Sequence, residues 1–244
     1  MSARVTLATA WRVGAQLRRD PRTLALIFVV PPALVALLKY VFDEQPQVFE
    51  RIGAPLVGLF PLVVMFLITS VAMLRERTTG TLERLMSMPL AKLDLLLGYG
   101  LAFAAVAAVQ GTITASVAFG LLGIETVGPI WAVIALAIAN AVVGMALGLF
   151  LSAFAHSEFQ AVQFMPAFIL PQLLLAGLFV PREHMPQVLQ TASDALPFTY
   201  AYEALAKVAL DDVDGRFWLD VAVICGCIVV ALGLGAATLR RRTP

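Results

Sequence analysis

The chain has few side chains whose type and spacing could carry out chemistry. A P-loop for nucleotide binding needs Gly-x-x-x-x-Gly-Lys followed by Ser or Thr. The lysines, which are Lys39, Lys92 and Lys207, are followed instead by tyrosine, leucine and valine. The sequence therefore predicts that this chain binds no ATP through such a loop and has no catalytic residue.

The histidines and cysteines are not arranged as a metal or redox site. His156 and His184 fall in segments that we place on opposite sides of a membrane, so a paired-histidine metal site or a catalytic triad is not expected. Cys225 and Cys227 would point roughly 200° apart on a helix, which argues against a disulfide between them. We predict no metal and no cofactor bound by this chain.

The longest charged island between two apolar segments, Arg75 to Pro89, predicts a short helix. Gly80 can cap its start, and Glu83 falls in the first turn, where an anion suits the helix dipole. Pro89 cannot continue a helix. A helix this short is stable only against a partner surface. Its two sides differ in polarity, with Leu82, Leu85 and Met86 on one and Thr81, Arg84 and Ser87 on the other.

The remainder of the chain is strongly apolar. Its 244 residues are 60% hydrophobic and 14% charged, and the mean hydropathy is +0.89. Soluble domains are about 45–50% apolar and about 25% charged. We therefore predict an all-α integral membrane protein without a cleavable signal peptide. Residues 1–244 are expected to form one domain, with six transmembrane helices at 23–41, 52–74, 95–122, 130–154, 161–180 and 217–239.

Two further segments are helical but are not predicted to span. Residues 1–22 predict an amphipathic helix lying on the membrane, over about 5–19. Its apolar side carries Leu7, Ala10, Trp11, Gly14 and Leu17, and its polar side carries Thr9, Arg12, Gln16 and Arg19. Residues 181–216 predict two short helices, at 185–195 and 199–210, separated by Pro197.

Basic residues predict the orientation. With six spans and a cytoplasmic N-terminus, twelve of the 17 Lys and Arg residues fall on the cytoplasmic side, at both termini, in the loop 75–91 and at Lys92 directly after it. The positive-inside rule favours this arrangement. We expect a multi-pass protein of the cell membrane with both termini in the cytoplasm.

The predicted spans contain almost no ionisable group at mid-membrane depth. Ion-coupled transporters retain such groups despite their cost, so their absence argues against ion coupling. It suits a pathway for amphipathic or lipid-like substrates. Hydrogen bonding between helices is an equally open role for the polar residues in the spans. Those residues, the candidate pathway contacts, are Gln110, Asn140, Gln163 and Gln172.

Two separated stretches resemble the permeases of type-2 ATP-binding-cassette (ABC) exporters. Arg75 to Pro89, followed by Leu93 to Tyr99, is similar to the first cytoplasmic loop of that family, with its pattern Glu-x-x-x-Gly-Thr-Leu-Glu-x-Leu…Pro. Downstream, Leu175 to Pro181 is similar to the end of the family's fifth helix. The extracytoplasmic segment that follows it in the family is matched by Met185-Pro186, Leu196-Pro197 and Thr199 to Leu205.

This resemblance implies a permease subunit that exports hydrophobic or amphipathic, drug-like compounds. It implies a second permease copy or a similar permease as partner, membrane lipids as neighbours, no nucleic acid, and a separate ATPase subunit that binds ATP and Mg. The first loop would be the coupling helix on that ATPase, through Glu76, Gly80, Thr81, Leu82, Glu83, Leu85, Met86 and Pro89. The short helices would cap the pathway outside, through Pro181, Met185, Pro186, Pro197 and Tyr200.

Other functions are weighed against this one. Export of a lipid-linked glycan or a lipid stays open within the same family. An ion-coupled secondary transporter is disfavoured by the lack of intramembrane charge and of an obvious inverted repeat. A membrane-embedded lipid enzyme would need His, Asp or Glu clustered on one membrane face, and the sequence has no such cluster.

The orientation is testable by cysteine labelling. In a background without Cys225 and Cys227, single cysteines at positions 87 and 243 should react only with reagent on the cytoplasmic side. Cysteines at positions 47 and 190 should react only from outside, because the positive-inside rule places them there. Opposite labelling at any of these positions would contradict the six-span topology.

Overall fold

The computed structural model describes residues 2–87 and 91–238, and within these ranges it contains helices and no strand. The prediction of an all-α protein is thereby confirmed. A π-helical turn, Val117–Leu121, extends α5, and a 3₁₀ turn, Arg182–His184, precedes α8. The helices are α1 (Ala3–Arg18), α2 (Pro21–Val41), α3 (Pro46–Thr78), α4 (Thr81–Ser87), α5 (Lys92–Ser116), α6 (Ile130–Leu151), α7 (Glu158–Leu175), α8 (Gln187–Asp194), α9 (Pro197–Ala209) and α10 (Gly215–Thr238).

Within the described ranges, 5 helices are long and apolar enough to cross a membrane: α2, α3, α5 with its π turn, α6 and α10. The predicted fifth span falls on α7, which has 18 residues and contains Pro166 and Pro171. It is not one of these 5 helices. The count of six spans and their orientation therefore stay predictions.

The structure moves several predicted boundaries. Helix α3 has 33 residues, so Glu50 and Arg51, expected in a loop, belong to its first turns. Pro46 starts α3, because the first turn of a helix needs no hydrogen bond from the missing N–H. Helix α7 ends at Leu175 rather than at 180, since Gly177, two residues later, adopts a φ of 99° that no helix continues.

Helices α3 and α6 form the centre of the molecule and touch through glycines. A Cβ atom added at Gly144 would lie 2.0 Å from the carbonyl oxygen of Leu62, and one at Gly148 would lie 2.2 Å from Oγ1 of Thr69. Both contacts are far shorter than any real Cβ contact. The backbones can therefore approach this closely only because small residues line the contact, the usual way that helices pack in lipid.

Buried side chains form two large clusters toward opposite ends of this central pair. One joins Val13 of α1 to Leu82 of α4 and to Leu95 and Tyr99 of α5. We call this the α1/α4 end. The other includes Phe198 and Leu205 of α9 with residues of α3, α6 and α10, and we call it the α8/α9 end. The two predicted functional regions thus lie toward opposite ends of the central pair α3 and α6.

The close approach of α3 and α6 leads to a stability prediction. Gly144→Val should lower the free energy of unfolding by about 2–3 kcal/mol, because the side chain has no space and overpacking costs this much. The matched control is Gly226→Val on α10, where an added Cβ meets nothing within 4 Å. Thermal unfolding in detergent, followed by size-exclusion chromatography, should show a midpoint about 5–10 °C lower for the first variant. Equal midpoints for both variants would contradict the packing.

Candidate functional site

The short helix α4 lies at the α1/α4 end, between the long helices α3 and α5. The chain enters it through Gly80, whose φ of 72° is unfavourable for residues with a side chain. The Gly80 carbonyl accepts a hydrogen bond of 3.1 Å from the backbone N–H of Arg84. A Cβ atom at Gly80 would touch nothing within 4 Å. Glycine is thus required at this position by the backbone angle and not by lack of space.

The apolar side of α4 packs on the chain itself. Leu82 is 3% exposed and belongs to the cluster of the α1/α4 end, and Leu85 packs against that cluster. Leu82 is therefore not available to a second protein in this conformation, which differs from the expectation that it forms part of a docking surface. Arg84 and Ser87 are exposed. The side chains of Glu83 and Met86, and Pro89, lie outside the described residues.

Glu76 was expected to act with α4, but the structure places it near the end of α3, facing inward. It is 6% exposed, and its Oε1 lies 3.4 Å from Nη1 of Arg12 on α1. Arg12 also donates a hydrogen bond to the hydroxyl of Tyr99 on α5 and lies 5.4 Å from the centre of that ring. Arg12, Glu76 and Tyr99 thus connect α1, α3 and α5, and we call them the Arg12–Glu76–Tyr99 cluster.

Two more contacts hold the α1/α4 end together. Arg75, beside Glu76 on α3, donates two hydrogen bonds of 2.7 and 3.1 Å to the carboxylate of Glu158, the first residue of α7. The backbone N–H of Ser2 donates to Asp94 on α5 at 2.8 Å. The sequence pattern placed Arg12 on the polar side of the N-terminal helix. It did not predict the ion pair with Glu76, because the two residues are far apart in sequence.

The four polar residues predicted along the pathway do not come together. Gln110 is buried on α5 and donates a hydrogen bond of 2.9 Å to the Ile27 carbonyl of α2, so it joins two helices. Gln172 donates 2.8 Å to the Phe168 carbonyl of its own helix. Gln163 is exposed on α7. Asn140 is buried between α6 and α3, and neither of its amide atoms finds a hydrogen-bond partner within residues 2–87 and 91–238.

The α8/α9 end has an open cavity of ≈ 700 Å³ with charged walls. Arg182 forms ion pairs with Asp194 at the end of α8 and with Glu203 on α9. Burial opposes the charge on Arg182, but its hydrogen bonds to Glu203 and Asp194 outweigh this effect and raise its pKa. Arg51 of α3 donates a hydrogen bond of 3.0 Å to the Gly177 carbonyl. The walls of the cavity therefore come from the central helix α3 as well as from the short helices.

The predicted outer-gate residues shape these short helices. Pro181 lines the cavity. Pro186 precedes α8, Pro197 begins α9, and each suits a position that needs no N–H. The hydroxyl of Tyr200 donates to the Asp194 carbonyl at 2.6 Å, and the Met185 carbonyl accepts from the side chain of Gln190 at 2.8 Å. Pro186 and Pro197 thus mark the starts of α8 and α9, and the hydrogen bond of Tyr200 holds α9 against the end of α8.

Helix α9 is tied to α10 by a lysine that the sequence did not single out. The Lys207 ammonium donates to Asp220 at 2.9 Å and lies 3.4 Å from Asp214. Asp214 also accepts from the backbone N–H of Phe217 at 2.7 Å, and this bond, together with Lys207, lowers the pKa of Asp214. The α8/α9 end is thus a network of ion pairs fixed to α3 and α10.

Comparison with known families gives a match over most of the chain. The family model described as "ABC-2 type transporter" matches residues 4–210. This range runs from the second residue of α1 to just past the end of α9 and includes both functional regions described above.

Individual relatives are more distant. The chain is 25% identical over 178 residues to "ABC transporter G family member 20" of Dictyostelium discoideum, covering 72% of this chain and 24% of that protein. It is 25% identical to the "Probable multidrug ABC transporter permease YbhR" of Escherichia coli K12, covering 64% and 43%. It is 28% identical to the "Inner membrane transport permease YhhJ" of the same strain, covering 61% and 40%. The chain thus spans less than half the length of each relative.

The Arg12–Glu76–Tyr99 cluster leads to a double-mutant prediction. Arg12→Met leaves the buried Glu76 without its countercharge. Breaking a fully buried pair costs about 3–5 kcal/mol, and the partial exposure of Arg12 reduces this to about 1–3 kcal/mol. Adding Glu76→Gln should restore most of the lost stability, because no charge is then left unpaired.

Thermal unfolding of the two single variants and the double variant measures this coupling. Arg4→Met serves as the control, since Arg4 lies exposed on the same helix. Losses that simply add in the double variant would show that Arg12 and Glu76 do not depend on one another.

Proposed function

Because the chain belongs to the ABC-2 type transporter family, we propose that it is the membrane-spanning permease of an ATP-driven exporter. It moves hydrophobic or amphipathic, drug-like compounds outward across the cell membrane. ATP hydrolysis takes place in a separate ATPase subunit, which supplies the nucleotide and magnesium site. The observation that carries this proposal is the family match over 4–210, which contains both functional regions.

The substrate class is supported by the relatives and by the composition of the helices. One relative carries "multidrug" in its name, and this favours small drug-like compounds over the lipid-linked glycan or lipid considered above. The long helices carry few charges along their apolar stretches. An apolar route of this kind suits compounds that enter from the lipid, whereas an ion-coupled route would need buried charges.

Coupling to the ATPase is proposed to use the exposed side of α4. Arg84 and Ser87 face outward, while Leu82 on the other side is fixed in the cluster of the α1/α4 end. A force applied to α4 therefore reaches α5 through Leu82 and reaches α1 and α3 through the Arg12–Glu76–Tyr99 cluster. We propose that this end moves as one body when the ATPase closes on ATP.

A second permease is proposed to cover α7. This helix exposes Phe159, Phe168 and Leu174, and it lacks the length and hydropathy of the 5 candidate spans. Close contact with an equivalent helix would bury these side chains and let α7 serve as the sixth span. A homodimer and a pair of similar permeases are both compatible with this contact.

The α8/α9 end is proposed to be the outer gate. Its helices are too short to span. Arg182 pairs with residues of both α8 and α9, and Arg51 of α3 holds Gly177 in the segment that precedes α8. Movement of α3 would thus be transmitted to the gate. The ion pairs would have to separate or rearrange for the cavity to open further.

Reconstitution tests the proposal directly. Liposomes that contain this chain and the P-loop ATPase that purifies with it should move a fluorescent amphipathic compound only when ATP is present. The same preparation should leave a lipid-linked glycan in its original leaflet. Transport driven by an ion gradient without ATP, or glycan movement without drug movement, would overturn the proposed function.

The coupling surface yields a more specific prediction. Arg84→Glu should reduce association with the ATPase about tenfold, because losing one anchor of an interface commonly costs about 1–2 kcal/mol. Membrane insertion should stay normal, since α3 and α5 are unchanged. The control is Arg4→Glu, an identical charge change at an exposed position of α1. Association is measured by co-purification with the ATPase, and equal association of the two variants would exclude this surface of α4.

A further inference from the structure

A groove between α1, α2 and α5 lies beside the α1/α4 end, and neither α4 nor the Arg12–Glu76–Tyr99 cluster is among the residues that line it. Its volume is ≈ 460 Å³. Its walls include Leu7 and Trp11 of α1, Phe28 of α2, and Leu101 and Val109 of α5. Leu7 is 59% and Trp11 78% exposed, so the groove opens sideways toward whatever surrounds the chain.

The helix α1 presents one continuous side to this groove. Leu7, Trp11, Gly14 and Arg18 are spaced by four, three and four residues, which places them on one face of a helix. A Cβ atom at Gly14 would meet nothing within 4 Å, so the middle of the groove is open. Among the described residues, Arg18 is the only charged one that lines the groove, and it lies near the end of α1 where the chain turns into α2.

The predicted topology places the groove at the depth of one membrane leaflet. The hydrogen bond from Gln110 to Ile27 aligns α5 with α2, and Phe28 follows Ile27 by one residue. Phe28 lies seven residues after the start of α2 at Pro21, which corresponds to about 10 Å along a helix. A leaflet's hydrocarbon is about 15 Å thick, half of the ~30 Å core. With the start of α2 placed at the membrane surface, as the predicted topology has it, the groove lies within one leaflet.

The charge at the open end favours an anion. Arg18, Arg19 and Arg22 form no ion pair with any residue in 2–87 or 91–238. The nearby Asp20 does not neutralise them by pairing, because its carboxylate accepts hydrogen bonds from the backbone and hydroxyl of Thr23 at 3.2 and 2.6 Å. Asp20 also lines a different cavity, beside α3. A ligand here must combine an apolar chain with a negative head group.

We propose that this groove binds one anionic phospholipid. An acyl chain lies along Trp11 and Phe28, and the phosphate accepts hydrogen bonds from Arg18. The lipid comes from the cytoplasmic leaflet, a placement that rests on the orientation in the proposed function. Binding itself depends only on the groove and on Arg18. Because α1 also carries Arg12, the bound lipid would stabilise the helix that holds the Arg12–Glu76–Tyr99 cluster.

Fluorescence quenching by brominated lipid tests the site on the full-length chain. Trp131 and Trp218, both exposed on other helices, are changed to Phe so that Trp11 is the only reporter. The protein is placed in phosphatidylcholine nanodiscs that contain a low fraction of brominated phosphatidylglycerol or brominated phosphatidylcholine. Brominated phosphatidylglycerol should quench Trp11 saturably and with about fivefold higher apparent affinity, the contribution of one arginine beside an anionic lipid.

Two variants and one control separate the head-group contact from the acyl-chain contact. Arg18→Gln should remove the preference for phosphatidylglycerol. Gly14→Leu should remove saturable quenching by filling the groove. Arg4→Gln, exposed on α1 but outside the groove, should behave like the unmodified chain.

Several results would overturn the proposal. Equal, non-saturating quenching by both lipids would show ordinary boundary lipid. Absence of quenching by either would show that a protein surface, such as a second copy, covers the groove. Arg18→Gln behaving like Arg4→Gln, or Gly14→Leu leaving quenching unchanged, would also contradict it. The assay contains no ATPase and measures no export, so its outcome is independent of whether the chain is an exporter.

Discussion

The buried carboxylate of Glu76 is the constraint on which the α1/α4 end depends. A charge in a site that is 6% exposed is stable only beside a countercharge, and Arg12 supplies it from α1. Arg12 is held in turn by the hydroxyl and the ring of Tyr99 on α5. Three helices that are distant in sequence are thereby fixed together, and α4 packs its Leu82 against the same assembly.

A rigid centre connects this assembly to the opposite end. Gly144 and Gly148 bring α6 into backbone contact with α3, so α3 cannot shift against α6 without losing close packing. The N-terminal end of α3 carries Arg51, which is hydrogen-bonded to the Gly177 carbonyl beside the charged cavity. Helix α3 thus contacts the Arg12–Glu76–Tyr99 cluster near one terminus and the proposed gate near the other. This continuity is the physical basis for proposing that one end controls the other.

Local patterns predicted much of the fold, and tertiary contacts account for the rest. Hydropathy and proline positions predicted the long helices, and Gly80 correctly marked the start of α4. The predicted span at α7 is less clear, because the prolines and polar residues of α7 keep its hydropathy below that of the 5 candidate spans. The sequence predicted that Leu82 contacts a partner protein. A helical pattern shows which residues share a face, but it does not show which surface covers that face. The pairings of Arg12, Arg182 and Lys207 depend on how separate helices pack together, which one sequence cannot indicate.

The central claim is that the α1/α4 end moves as one body when the ATPase closes on ATP. Spin labels at positions 4 and 87, on α1 and α4, measure this by electron paramagnetic resonance in the complex with its ATPase, with one labelled permease copy. Adding a non-hydrolysable ATP analogue should leave the distance between positions 4 and 87 unchanged, while the distance between positions 87 and 190, which spans the two ends, changes. A change between positions 4 and 87 with none between 87 and 190 would contradict the account.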